Sequence, residues 1–112
     1  MKSETALQNK IRLAINAPNV RMFRNNVGMI NGIRFGLCNG SSDLIGFQSV
    51  TITPEMVGQK IAIFTAIEVK TESGKVSEQQ TKFLNMVARF GGIGAVVRNV
   101  DDAVDLLLKT TP

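Results

Sequence analysis

The stretch 61–70, Ile-Ala-Ile-Phe-Thr-Ala-Ile-Glu-Val-Lys, limits the folds open to this chain more than any other. Its odd positions (Ile61, Ile63, Thr65, Ile67, Val69) are all β-branched, and its even positions begin with Ala62, Phe64 and Ala66. Apolar residues on both alternating sets predict a central strand covered on both sides. Two charges then break the pattern. Glu68 and Lys70 are two residues apart, so a strand puts them on one face, one pleat apart. A carboxylate and an ammonium at the end of a buried strand cost free energy unless they are solvated or paired. Either the strand simply surfaces there, or residues distant in sequence complete a site around them.

The flanking elements follow from periodicity and punctuation. Leu7, Ile11, Ala14 and Ile15 recur at helical spacing, predicting an amphipathic helix over 4–16 with Ser3 as N-cap and Glu4 at its positive end. Residues 20–27 have strand character, with Arg21 and Phe23 on one face, Met22 and Arg24 on the other, and Gly28 closing the run. Residues 33–37 form the next short strand, reached through a loop containing Asn31-Gly32. The Gly-Ser-rich turn 38–42 delivers Asp43 into Leu44-Ile45-Gly46-Phe47, and 54–60 connects onward to the central strand. Beyond the polar turn 71–75, Ser77 and Gln80 have capping-box spacing. Phe83, Leu84, Val87 and Phe90 stripe the helix they start, and Gly91-Gly92 stops it. Residues 95–97 make a short buried strand, and Asp101 or Asp102 caps a last helix with Val104, Leu107 and Leu108 inward. The class is α/β with a mixed sheet in the order α-β-β-β-α-β-α. The central strand, the 77–90 helix and the 94–98 strand form a β-α-β unit, whose two strands run parallel.

At 112 residues one domain is expected, spanning 1–112. The absence of histidine excludes imidazole bases, nucleophiles and ligands. One cysteine, Cys38, excludes an internal disulfide and a cysteine-cluster zinc site, and reads as a small packing residue. No P-loop is present, and Gly91-Gly92-Ile93-Gly94 follows a helix instead of preceding one. No apolar run reaches membrane-spanning length, and residues 1–4 do not lead into a signal-peptide core, so no membrane partner and a cytoplasmic location are expected. The net charge of +4 leans mildly toward polyanionic partners. Reactive groups in such a chain are carboxylates, Lys, Ser/Thr and a hard cation.

If the strand opened by Asp43 pairs antiparallel with the central strand, Asp43 comes to lie beside Glu68. Adjacent carboxylates repel unless a cation joins them. All-oxygen ligation suits Mg²⁺ or Mn²⁺, which need only one or two protein carboxylates. Such an ion acidifies a bound water and offsets charge on a scissile phosphate. Lys70 is within reach to position that water or to stabilise the transition state.

Gly40-Ser-Ser-Asp43 followed by Glu68-Val-Lys70 resembles the PD-(D/E)xK nuclease signature, with serine in place of the usual proline. More closely, the chain resembles a stand-alone VRR-NUC domain of phage or bacterial type. Glu4-Thr-Ala-Leu-Gln8, Arg24-Asn-Asn-Val-Gly28, Gly40 to Gly46, Ile67-Glu-Val-Lys70, Ser77-Glu-Gln-Gln80-Thr-Lys-Phe83 and the run from Gly91-Gly92 to Leu108 carry the likeness. The resemblance implies a restriction-endonuclease-like core. It implies that Asp43 and Glu68 are metal-binding carboxylates, with the Val69 carbonyl a further ligand and Lys70 the catalytic lysine. Gln80 would orient Lys70 or the substrate phosphate, and Glu4 would approach the metal directly or through water. Stand-alone members are expected to be homodimers acting on branched DNA in the manner of Holliday junction resolvases, in the cytoplasm of a bacterial or phage-infected cell. Larger members behave as flap nucleases.

Several residues carry a second reading. Glu4 is also a helix-dipole partner, Gln80 a capping-box partner, and Asp43 an Asx-type turn residue. Arg21, Arg24, Asn25, Lys75, Lys82 and Arg98 are candidates for DNA phosphate contacts, with Arg24 and Asn25 favoured by the shared stretch, and each is equally readable as a solvated surface group. No helix is dense in Arg, Asn and Gln, so the expected recognition is of shape and not of base sequence. The competing functions are a nickase or flap nuclease without junction preference, a catalytically idle nucleic-acid-binding module, and a small acidic-ligand or partner-binding protein.

Overall fold

The computed structural model describes residues 2–108. Its contacts divide into two compact units, Met1–Ile52 and Thr53–Pro112.

In the first unit, helix α1 (Lys2–Ala14) is followed by β1 (Val20–Arg24), β2 (Gly28–Ile30), β3 (Ile33–Phe35) and β4 (Leu44–Gln48). The helix starts at Lys2, so Ser3, the expected N-cap position, lies within its first turn. Its apolar residues Leu7 and Ile11 are exposed, as is Ile15 just beyond its end, although the helical spacing itself is as expected. β1 and β4 pair antiparallel, with Met22 opposite Gly46 and Arg24 opposite Leu44. The Phe23 and Phe47 rings meet at 6.2 Å between centroids on this ladder. A side chain at position 46 would collide with the Arg21 carbonyl, which accounts for glycine there. β2 was not expected, because three residues beginning with glycine are too short for an alternating pattern to show. Asn31 and Gly32 both have positive φ, 52° and 77°, the conformation of a tight two-residue hairpin turn, and they join β2 to β3.

In the second unit, a 3-10 turn (Pro54–Met56) leads to β5 (Thr65–Val69), α2 (Glu78–Arg89), β6 (Ile93–Val97) and α3 (Val100–Leu107). β5 and β6 are parallel, Thr65 opposite Ile93 and Val69 opposite Val97, as the β-α-β pattern requires. α2 packs against this pair and buries Leu84 and Val87, which with Val97 are the buried apolar residues among those described. The helix backbone at Leu84 comes so close to β6 that a side chain at Gly94 would strike the Leu84 carbonyl. Ser77 and Gln80 form the expected capping box. At the other end, Gly91 (φ 100°) donates to the Ala88 carbonyl and Gly92 to the Val87 carbonyl, closing the helix in a Schellman motif.

Several expectations need correction here. The central strand is only five residues long, and Ile61, Ile63 and Val69 are exposed, so apolar sequence did not translate into cover on both faces. Within the first unit the ladders are β1–β4 and β2–β3, and within the second β5–β6. α3 is capped by Asn99, whose side chain accepts from the Asp102 amide at 2.8 Å, while Asp102 itself accepts from the Arg98 amide. On that helix Val104 is half-buried, whereas Leu107 and Leu108 are exposed. Cys38 is exposed and does not pack.

Candidate functional site

The second unit places Glu68, Lys70 and Gln80 at one corner. β5 carries Glu68 on the face also occupied by Lys70, and the ladder continues one residue past the strand because the Lys70 amide donates to the Val97 carbonyl at 3.0 Å. Lys70 Nζ lies 3.8 Å from Glu68 Oε2, with the two side chains 22% and 30% exposed. At that separation and exposure the ion pair alone is worth no more than about 1 kcal/mol. Gln80 supplies the firmer restraint. Its Nε2 donates to Glu68 Oε2 at 2.9 Å, while its Oε1 accepts from the Ser77 amide at 2.9 Å. Its own amide donates to Ser77 Oγ at 3.1 Å. Both readings of Gln80 therefore hold at once, since one end of the amide caps α2 and the other fixes the carboxylate. The group it orients is Glu68, not Lys70.

This corner leaves two oxygens open. Both groups that touch Glu68 do so through Oε2, which leaves Oε1 without a hydrogen bond among the described residues. In a parallel ladder alternate residues turn their carbonyls to opposite edges, so Val69, flanked by the paired Lys70 amide, aims its carbonyl at the edge of β5 away from β6. A carboxylate oxygen and a neighbouring backbone carbonyl are oxygen ligands suited to Mg²⁺ or Mn²⁺.

In the first unit, Asp43 stands directly before β4 with its side chain exposed. Its turn is organised by Asn25. Asn25 Nδ2 donates to Ser41 Oγ at 2.7 Å and to the Ser42 carbonyl at 2.9 Å, and its Oδ1 accepts from the Leu37 amide at 2.9 Å. The Asn25 backbone amide donates to the Asp43 carbonyl at 2.8 Å. Ser41 Oγ in turn donates to the Cys38 carbonyl. The Asn25 side-chain amide, a candidate DNA contact, holds the loop that presents Asp43. Glu4 is exposed in the first turn of α1, in the same unit as Asp43.

The basic candidates separate by what they already bind. Arg21 donates through one nitrogen to the carbonyls of Val20, at 3.0 Å, and Ala17. Arg98 reaches the carbonyls of Thr71, at 2.6 Å, and Gly74, at 2.7 Å, and also that of Glu72, so it clamps the turn after Lys70. Lys82 pairs with Glu78 at 3.2 Å on the exposed side of α2. Arg24 and Lys75 are exposed. The structural roles of Asn25 and Arg98 carry no local signal in sequence, because every bond that defines them spans 12 residues or more. Among the described residues no helix is long and apolar enough to cross a membrane.

A family model described as the VRR-NUC domain matches residues 20–101, a span that includes Asp43, Glu68, Lys70 and Gln80. Comparison with curated proteins and with solved structures gives no match.

Proposed function

The chain belongs to the VRR-NUC family of nuclease domains, and on that premise we propose that it is a Mg²⁺- or Mn²⁺-dependent endonuclease that hydrolyses DNA phosphodiesters, selects branched DNA, and acts as a homodimer. One observation carries this reading. Glu68 and Lys70 share a face 3.8 Å apart, and Gln80 fixes Glu68 through a 2.9 Å hydrogen bond. A purely solvated strand end would not require a second element to orient its carboxylate.

In this proposal Glu68 and the Val69 carbonyl would hold the cation, Asp43 would supply the second carboxylate, and Glu4 would contribute directly or through water. What such an ion supplies when bound is a more acidic water and neutralisation of charge gathering on the phosphate. The Lys70 ammonium lies beside Glu68, where it stabilises the negative charge that develops on the phosphoryl oxygens during attack. Gln80 limits the rotamers of Glu68, so the carboxylate is already oriented when substrate arrives. Arg98, by holding the 71–74 turn, prevents the chain after Lys70 from swinging away. Arg24 and Lys75 provide exposed charge for phosphate contact, which makes binding salt-dependent and largely indifferent to base sequence. A two-fold homodimer would present two such centres to the two symmetric strands of a four-way junction.

The test uses the full chain with synthetic four-way, flapped and linear duplexes, in Mg²⁺, Mn²⁺ or chelator. Symmetric paired nicks on the four-way junction, abolished by chelator and by Lys70→Ala, are the expected result. Undiminished metal-dependent cleavage by Lys70→Ala would remove the lysine from the mechanism. Equal cutting of all three substrates would reduce the protein to an unselective nickase. Sedimentation as a monomer at low salt would contradict the dimer.

A further inference from the structure

We propose that the β2–β3 hairpin is a substrate-engaging arm, which seats an unstacked base of branched DNA on the apolar face formed by Ile30, Ile33 and Phe35. The proposal deepens the nuclease reading and rests on it for the nature of the substrate.

The arm is a defined element because its base is closed. Asn25 Oδ1 accepts from the Leu37 amide, so the chain leaves β1 at Asn25 and returns to the same side chain twelve residues later. Gly36 (φ 86°) lies so near the Asn26 carbonyl and the Val27 backbone that no other residue fits there. The strands between are short and tightly turned. Their register pairs Gly28 with Phe35, Met29 with Arg34 and Ile30 with Ile33. Alternation then puts Ile30, Ile33 and Phe35 on one face and Met29 with Arg34 on the other. The Phe35 ring lies over Gly28 and takes the space a side chain there would need.

That apolar face is open. Ile30 is 64% exposed, Ile33 71% and Phe35 42%. Two three-residue strands with bare apolar side chains are marginal in water on their own, so an occupant is needed to make this surface worth its exposure.

Charge decides which occupant. From Thr5 to Ser42 the chain has five basic residues (Lys10, Arg12, Arg21, Arg24, Arg34) and no Asp or Glu. Across Met1–Ile52 six basic residues, counting Lys2, face two acids, Glu4 and Asp43, whereas Thr53–Pro112 has seven of each. The whole excess of +4 therefore belongs to the unit that bears the arm. Arg34 on the arm and Arg24 at its root are exposed. A polyanion with an exposed π-face answers both features, since phosphates take the arginines and a splayed base covers the apolar side chains.

The arm is also tied to the chemistry. The residue that closes its base, Asn25, donates its backbone amide to Asp43 at 2.8 Å and its side chain to the two residues before Asp43. A branch point held by the arm is thereby registered against the carboxylate assigned to the metal.

The experiment measures binding of the full chain in chelator, so that cleavage does not enter. A labelled four-way junction, carrying 2-aminopurine at the branch, is compared with a linear duplex of equal length. Ile30→Ser/Ile33→Ser should lose roughly tenfold or more in affinity for the junction and leave the duplex unaffected, with the 2-aminopurine brightening produced by wild type absent. Arg34→Gln should weaken both substrates alike and lower the salt slope by about 1. All substituted side chains are exposed, and matching far-UV spectra establish that the variants fold. Junction affinity and 2-aminopurine signal equal to wild type in the Ile30→Ser/Ile33→Ser variant would overturn the proposal. So would a fall of that variant from dimer to monomer, which would make the arm a self-association surface. Wild type that binds junctions in this assay but cuts nothing in Mg²⁺ or Mn²⁺ would sink the nuclease reading and leave the arm standing.

Discussion

Gln80 is the residue whose substitution separates structure from chemistry most sharply, because its two ends do different work. Three variants divide them. Ser77→Ala removes the side-chain cap of α2 and leaves Gln80 Nε2 on Glu68. Loss of such a cap costs about 1 kcal/mol, which for a chain of this size lowers Tm by roughly 4 °C. Gln80→Glu keeps the capping acceptor, since Glu serves that position as well as Gln does, but replaces the donor to Glu68 with a carboxylate oxygen. At the 2.9 Å separation of the wild-type contact, two unit charges repel by about 1.4 kcal/mol in bulk water and about 5.7 kcal/mol at an effective dielectric of 20. Glu68 is 30% exposed, so screening and side-chain rotation favour the lower end, about 1–2 kcal/mol. That repulsion exists only while no cation is bound. Gln80→Glu should therefore melt below wild type in chelator and recover most of the difference in millimolar Mg²⁺, whereas Ser77→Ala should show the same deficit in both. Gln80→Ala loses cap and orientation together and should combine a Ser77→Ala-sized stability loss with a fall in kcat of tenfold or more. The assay is thermal unfolding with and without Mg²⁺, alongside single-turnover cleavage well below Tm. Identical stability and activity in Ser77→Ala and Gln80→Ala would show that the bond to Glu68 contributes nothing. A Gln80→Glu deficit indifferent to Mg²⁺ would show that no cation binds beside Glu68.

Other substitutions test the scaffold. Gly94→Ala should destabilise by about 1–3 kcal/mol in urea unfolding, because its methyl group meets the Leu84 backbone and only a shift of α2 relieves it. Arg98→Ala leaves the carbonyls of Thr71, Glu72 and Gly74 without their shared donor; a loss of about 1–2 kcal/mol is expected in the same measurement. Asn25→Ala should abolish hydrogen-exchange protection of the Leu37 amide, while Asn25→Asp, which retains the acceptor, should preserve it. Both should reduce cleavage, since both lose the amide donor to Ser42 next to Asp43.

Much of the second unit could be read from the chain because its signals are local. Ser77 and Gln80 are three residues apart, Gly91-Gly92 follows the last apolar turn of α2, and Glu68 and Lys70 fall on one face by period alone. Parallel pairing of β5 with β6 followed from the intervening helix. The first unit hid more. The β2 strand is three residues long, and Asn31-Gly32 announced the turn without showing that a strand preceded it. Residues 61–64 are as apolar as those after them, but β-propensity reports fitness for a sheet and not the presence of a neighbouring strand, and β5 begins only at Thr65. Asn25 and Arg98 looked like surface polar groups because the carbonyls and amides they serve are distant in sequence and belong to the backbone, which leaves no residue-type signature. Asn99 outcompeted Asp101 and Asp102 as a cap simply by standing one residue before the first helical position.

The decisive measurement is a Mn²⁺ titration followed by electron paramagnetic resonance on the full chain and on its Asp43→Asn, Glu68→Gln and doubly substituted forms. One ion per chain is expected for wild type, with each single substitution weakening it by an order of magnitude or more and the double substitution doing far less than the product of the two. Wild-type affinity in Asp43→Asn, or losses that multiply independently, would mean that these two carboxylates do not serve one cation.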